Sequence, residues 1–245
     1  RPGVAAMTGF VRGRNGISFQ YRARQLNALG EPENLDVDPE TPSILHPPAG
    51  GAIKTEGTNM AFRRDVLVEM GGFDPAFHYY LDETDLNMRL ARAGHATAIV
   101  PLAEVHHGFA ANAMRSANRV PRDLFDIGAS WAVFHRKHLP LQDRAAQWAH
   151  LRAAERRRLL RHLISGGLEP RDVPRLLRRL DEGHAEGLKR PIVSTTVPRT
   201  TNSPFCPFPA RPRRSVAIFT RPIKLARDRA KAAKWAQAGE IVTLI

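Results

Sequence analysis

Apolar and polar positions alternate between two rhythms along the chain. Val4 to Val11 is an almost unbroken apolar run, and predicts a buried strand. Asn15-Gly16, inside the turn Arg12–Gly16, is a hairpin signal, with Ile17 to Tyr21 as the return strand. Residues 31–56 lose the rhythm: they are rich in Pro and Gly, and His46-Pro47-Pro48-Ala49-Gly50-Gly51 predicts a flexible loop. Met60 to Phe62 reads as a short strand and Asp65 to Met70 as a helix. Leu86 and Leu90, with Met88, Ala91 and Ala93 around them, predict a helix that Gly94 stops. Thr97 to Val100 is a β-rich run closed by Pro101, and a second run, Ala103 to Val105, ends at His106 and His107.

The later chain is helical and basic. Phe125 to Phe134 predicts a buried helix, with Arg136, Lys137 and His138 at its end, where cations suit the dipole. Ala145 to Ile164 predicts a helix with leucines among arginines, Gly166-Gly167 breaks it, and Val173 to Leu180 predicts another. Residues 191–213 read as a linker rich in Pro, Thr, Ser and Arg. Ser215 to Thr220, Leu225 to Gln237 and Glu240 to Ile245 then read as strand, helix and strand, a βαβ opening without the Gly-x-Gly-x-x-Gly fingerprint. The expected fold class is α/β, divided as residues 1–140, a basic helical extension at 141–190, the linker 191–213, and the start of a second α/β domain at 214–245.

With 42% hydrophobic residues, the 245-residue chain has enough apolar content for a core. The net charge of +13 admits nucleic acid, an anionic membrane surface or an anionic substrate as partner. The arginine-rich helices read either as a solvated amphipathic pair or as an electrostatic dock. One cysteine, Cys206, excludes an internal disulfide and a Cys-based zinc site. No apolar run approaches a membrane span and no signal peptide is visible, so the expected location is cytoplasmic, with peripheral contact at the inner face of the membrane. The first residue is Arg and the last strand ends the chain, so a fragment or processed form is expected.

The chemistry concentrates between Gly57 and His107. This stretch holds a small-residue loop (Gly57, Thr58, Asn59), a Gly-Gly-Phe-Asp turn (Gly71 to Asp74), a carboxylate cluster (Asp82, Glu83, Asp85) and a His pair. The acids crowd a predicted helix start, where unpaired N–H groups favour negative charge. Asp82 could therefore be an N-cap with Asp85 as its capping-box partner. The histidines could be an exposed strand end. A second acidic motif, Asp36-Val37-Asp38, lies in a polar loop with no apolar strand before it, and reads as a decoy rather than a metal site.

The runs GTNMAFRR, GGFDPAF, YLDETDLNMRLARAG and VPLAEVHH resemble the acceptor-side half of glycosyltransferase family 2. The resemblance covers roughly residues 1–138. It implies a partial GT-A-type, Rossmann-like sheet with flanking helices, and inverting transfer from a nucleotide-sugar donor to a saccharide or lipid-linked acceptor, with no nucleic acid as partner. The family's acidic pair, usually Glu-Asp, corresponds to Asp82-Glu83, with the order swapped. Asp85-Leu86 and Arg89-Leu90 follow as in the family. Glu83 would then be the catalytic base, flanked by Asp82 and Asp85; a Glu carboxyl ordinarily titrates near about 4.3 and is ionised at neutral pH. Gly57, Thr58, Asn59, Arg63, Gly72, Phe73, Asp74 and Arg89 would face substrate. His106 or His107 would lie near a divalent metal, Mn2+ or Mg2+, that neutralises the leaving diphosphate. The family's Asp-x-Asp metal motif is expected upstream of Arg1 and absent from this chain. The alternative is a non-catalytic basic module for nucleic acid or anionic surfaces.

Overall fold

The computed structural model describes residues 3–193, 196–197 and 214–245. Most of the predicted linker, Cys206 included, lies outside the described residues. The chain divides into two compact units, Arg1–Arg199 and Thr200–Ile245.

In chain order the first unit contains β1 (Val4–Arg12), β2 (Phe19–Tyr21), β3 (Arg24–Leu26), β4 (Pro32–Asn34), β5 (Ser43–Leu45), β6 (Ala52–Lys54), β7 (Met60–Phe62), α1 (Arg64–Glu69), α2 (Asp82–Arg92), β8 (Ala96–His106), α3 (Phe125–His138), α4 (Leu141–Ile164) and α5 (Asp172–Gly187). The class is α/β with a mixed sheet flanked by helices, consistent with a Rossmann-like arrangement. β1 is the central strand, buried on both faces, which is why it reads as a continuous apolar run. It pairs parallel with β8 on one side, and antiparallel with β7 and β2 on the other. β5 closes the far edge against β8.

Two sequence expectations need correction. Pro101 does not end a strand: β8 runs through it to His106. The β1–β8 register shifts between Gly9 and Val11, opposite Val100 to Val105, so the residue without an N–H falls where the ladder opens. Within the Pro- and Gly-rich stretch 31–56, the loop expected at His46 to Gly51 is present, but short strands that were not expected flank it. Arg24–Leu26, Pro32–Asn34 and Ala52–Lys54 form an antiparallel sheet of order β4-β3-β6, and Ala52, Ile53, Lys54 and Thr55 are buried. Strands of three residues carry too little alternation to be read locally; cross-strand pairing defines them.

The basic helices belong to the first unit. Trp131, Phe134 and Leu139 join Leu26, Phe77, Leu81 and Met88 in one core, with Trp148 and Leu151 of α4 against it. Leu124, Leu159, Leu176 and Leu180 form a second core. The basic helical extension expected at 141–190 is a packed helical layer whose leucine stripes face inward, as the amphipathic reading of its helices has it. α3 and α5 run side by side in the same direction, with Phe125 beside Gly183 and Ala129 beside Gly187. A Cβ at Gly183 would overlap the Phe125 carbonyl oxygen. Glycine is required there by backbone approach rather than by conformation.

The second unit contains β9 (Ser215–Ile218), a 3-10 turn at Pro222–Lys224, α6 (Leu225–Gln237) and β10 (Ile241–Leu244). The strands are parallel, from Ser215 opposite Ile241 to Ile218 opposite Leu244, the βαβ order expected.

Gly183→Ala is expected to cost about 1–3 kcal/mol, because its methyl forces two helices apart despite the gain in helix propensity. A thermal scan checks this. A melting temperature within about 1 °C of the parent would refute the close approach.

Candidate active site

The acids reach their place through an unusual backbone. Tyr80 and Leu81 adopt left-handed conformations, φ 75° and 68°, in succession. Neither is Gly, and each such residue costs on the order of 1–3 kcal/mol unless its surroundings impose it. Leu81 is buried in the main core, the Tyr80 ring meets Trp131 edge-on at 6.1 Å, and Ser130 Oγ donates to the Tyr79 carbonyl at 2.7 Å. Leu81 is the N-cap, and its carbonyl accepts from Asp85 N at 2.8 Å. No side chain caps α2, so the Asp82–Asp85 capping box does not form. Gly94, φ 77°, ends α2 as expected, with His95 N donating to the Leu90 carbonyl at 3.1 Å.

Asp85 is drawn inward instead. Its side chain is inaccessible to solvent and accepts from Arg89 Nε at 2.9 Å, Lys137 Nζ at 2.8 Å and His138 Nε2 at 2.8 Å. Burial alone would raise its pKa. The His138 hydrogen bond, the Arg89 charge and Lys137 outweigh burial and hold the carboxyl at about 2. His138 is itself lowered by burial, so it serves as a neutral donor through Nε2. Lys137 also reaches Asp74 at 2.6 Å, and Asp74 accepts from Ala76 N at 2.9 Å. Arg89 donates to the Met70 and Gly72 carbonyls, both at 2.7 Å. The Gly71–Asp74 turn is thus fastened to α2 and α3. Asp85, Asp74 and Arg89, grouped with base and substrate by sequence, are a buried scaffold whose charges and donors are engaged with protein. Gly72 is buried with φ 72°, and the Phe73 ring packs edge-on against Phe62 at 5.9 Å.

Asp82 and Glu83 remain half-buried on the first turn of α2. Burial, then the charge and hydrogen bonding of Glu83, push Asp82 above its ordinary value. Lys54 Nζ, on β6, donates to Glu83 Oε1 at 3.2 Å and to the Thr55 carbonyl at 3.0 Å, and lies 3.6 Å from Glu56. The buried Tyr21 hydroxyl, raised by burial and so a neutral donor, bonds to the Lys54 carbonyl. One turn along α2, Asn87 Oδ1 accepts from Thr55 Oγ1 at 3.2 Å. Lys54 and Glu56 were missed in the sequence because they sit in the Pro- and Gly-rich stretch 31–56, where no strand was assigned. The one signal was a lysine inside the apolar run Ala52-Ile53.

The small-residue loop closes a tight turn in which Asn59 N donates to the Glu56 carbonyl at 2.8 Å. Gly57 and Thr58 are exposed at its tip, next to Glu56. Asn59 Nδ2 donates to Phe10 O at 3.1 Å and Ala103 O at 2.6 Å, bridging β1 and β8 where their register shifts. Arg63 is spent on Asp65, on an exposed surface.

The histidines part company. His106 is exposed, whereas His107 Nδ1 meets Gln20 Oε1 at 2.9 Å and its ring lies 4.2 Å from Phe109. Among the described residues no three His, Cys, Asp or Glu side chains gather as a metal site. Asp36 and Asp38 are exposed, and Asp38 accepts from Glu40 N and Thr41 N within its own turn.

No protein-family model and no solved structure matches the chain. Over 94 residues it is 34% identical to the N-acetylglucosaminyl-diphospho-decaprenol L-rhamnosyltransferase of Mycobacterium tuberculosis, in two strains. That stretch is 38% of this chain and 27% of the relative, so the matched stretch spans about a quarter of the relative's length. Part of the chain is therefore similar in sequence to a glycosyltransferase. Among the described residues no helix is long and apolar enough to cross a membrane.

The two aspartates of α2 predict opposite effects. Asp85 is depressed in the fold, so its stabilisation is full above the unfolded pKa near 3.9 and is lost as pH falls through about 2. Asp85→Asn should cost roughly 2–5 kcal/mol at pH 7, with the gap closing between about pH 4 and 2. Asp82 is raised, so its ionised form opposes folding. Asp82→Asn should melt higher than the parent at pH 7, and this gain should vanish in acid. Denaturation of both variants across pH checks the pair; the same sign for both would refute the assignment.

Proposed function

We propose that residues 1–140 are the acceptor-side half of an inverting, nucleotide-sugar-dependent glycosyltransferase of family 2 type, with Glu83 as general base and the helices of 141–190 packed on it. The observation that carries this reading is the Asp82–Glu83 pair. It sits half-buried at a helix start, on two strained residues, with Lys54 Nζ 3.2 Å from the Glu83 carboxylate. Strained backbone that presents acids at a surface is a recurrent property of reactive sites. The partial similarity to a rhamnosyltransferase supports the same class.

In this reading Glu83 takes the proton of an acceptor hydroxyl as that oxygen attacks the anomeric carbon. The bond from that carbon to the nucleoside diphosphate breaks on the opposite face, and configuration inverts. Lys54 supplies a cation to the carboxylate and holds it toward β6. Asp85, through Arg89, Lys137 and His138, fixes the helix on which Glu83 rides. By its name the relative transfers L-rhamnose to N-acetylglucosaminyl-diphospho-decaprenol; for this chain the extension is to class only, a nucleotide-sugar donor and a saccharide or lipid-linked acceptor. The described residues do not by themselves build a metal centre, and no step runs through one. Of the arginines of the helical layer, Arg152, Arg158, Arg175 and Arg179 are paired with carboxylates, which removes them from the charge open to a partner in the basic-module alternative.

In the intact protein, Glu83→Gln should lower sugar transfer by about 10²–10⁴-fold, the range for loss of a general base, while thermal melting stays at the parent value. Lys54→Met should give an intermediate loss. Parent-level transfer by Glu83→Gln would reject Glu83 as the base.

A further inference from the structure

The connection from β8 to α3 is a built loop. Asn112 Oδ1 accepts from Met114 N and Arg115 N at 2.9 and 3.0 Å. Ser116 N donates to the Val120 carbonyl, and Arg122 N to the Met114 carbonyl, both at 2.9 Å. From the β1–β2 turn, Arg14 donates to the carbonyls of Phe109 at 2.7 Å and Ala117 at 2.9 Å. Phe109 and Arg119 are left-handed, φ 50° and 63°, a conformation that non-Gly residues keep only where the surroundings impose it.

This loop presents two guanidinium groups. Arg119 Cζ lies 4.3 Å from the Phe109 ring, which in turn meets His107. Arg115 Cζ lies 5.9 Å from the ring of Tyr79, three residues before Asp82. Among the described residues neither side chain takes part in an ion pair or hydrogen bond, in contrast to Arg12, Arg89, Arg152 and Arg179. Burial, and then the charge of Arg115, lower the pKa of Arg119, while Tyr79 and Glu56 act in the opposite sense. Their forked donors match the oxygens of a phosphate, and a multiply charged anion between them removes the repulsion.

We infer that Arg115 and Arg119, held in the loop after β8 against Tyr79 and Phe109, form a diphosphate subsite. It holds the diphosphate of the nucleotide donor or of a lipid-linked acceptor. The inference rests on the transferase reading above and adds to it the groups that anchor the diphosphate of a substrate.

The test is calorimetric binding of inorganic pyrophosphate, UDP and farnesyl diphosphate to the full chain at low salt. The Arg115→Ala/Arg119→Ala double variant should bind pyrophosphate about tenfold or more weakly. Arg152→Ala, whose guanidinium is paired with Asp181, should stay within about twofold, since exposed paired charges contribute little. A loss confined to UDP assigns the donor, a loss confined to farnesyl diphosphate assigns the acceptor, and a loss for both assigns a subsite that accepts either. Should the alanine variant melt low, the double Gln variant keeps the side-chain bulk and takes its place. Unchanged affinities in the double variant, an equal loss in Arg152→Ala, or no pyrophosphate binding by the parent each overturn the inference. Pyrophosphate binding by the arginine variants needs no turnover, whereas the base assignment is read by sugar transfer in Glu83→Gln, so failure of the one and failure of the other are read separately.

Discussion

The arrangement depends on one buried carboxylate. Asp85 has no exposed surface, and three cationic or hydrogen-bonding partners converge on it from α2 and α3. Burying a charge this completely is tolerable only where partners replace the lost water. The partners themselves extend outward: Arg89 grips the carbonyls before and within the Gly-Gly turn, and Lys137 grips Asp74. One anion thus ties together the end of α1, the turn after it, the first turns of α2 and the last turn of α3. With those four fixed, Tyr80 and Leu81 have little choice of conformation, and the strain at the entry to α2 is held by packing and charge elsewhere.

Three acids within four residues therefore live in three environments. Asp85 is driven down by its cations, Asp82 is driven up by burial and by Glu83, and Glu83 faces Lys54. Environments that push neighbouring carboxylates apart are how one helix turn can carry both a scaffold anion and a reactive one. The split follows from helical geometry. Asp85 lies on the face toward α3, whereas Glu83 shares its face with Asn87, against β6 and the Thr55 hydroxyl.

Much of this was legible in the chain. The continuous apolar run of β1, the leucine spacing and Gly94 stop of α2, and the terminal βαβ are local signals, and the structure reproduces them with shifts of a residue or two. The order of motifs between Gly57 and His107 located the acids. What could not be read was decided at a distance. Lys54 reaches Glu83 only because three short strands pair into a sheet, and no single one of them carries a pattern. Asp85 looked equivalent to Asp82 because sequence records that both are acidic but not which of them α3 faces. The helical layer could be read either as an amphipathic pair or as an electrostatic dock because arginines and leucines are mixed along it, and only the packing shows the leucines turned into a core.

The same reasoning bears on the charge. A net +13 invites a search for one basic face, yet the arginines differ sharply in what they do. Of the nine arginines of α4 and α5, Arg152, Arg158, Arg175 and Arg179 answer local carboxylates, at exposed positions where each pair adds little stability. Arg14 spends its donors on loop carbonyls, and Arg89 on the turn. Arg115 and Arg119 are neither paired nor spent, and the loop that holds them is itself held in a strained form. Two guanidiniums without an ion pair, each seated on an aromatic ring, are the kind of donor that a phosphate completes. The ring under Arg115 is that of Tyr79, three residues before Asp82, where the acids are presented.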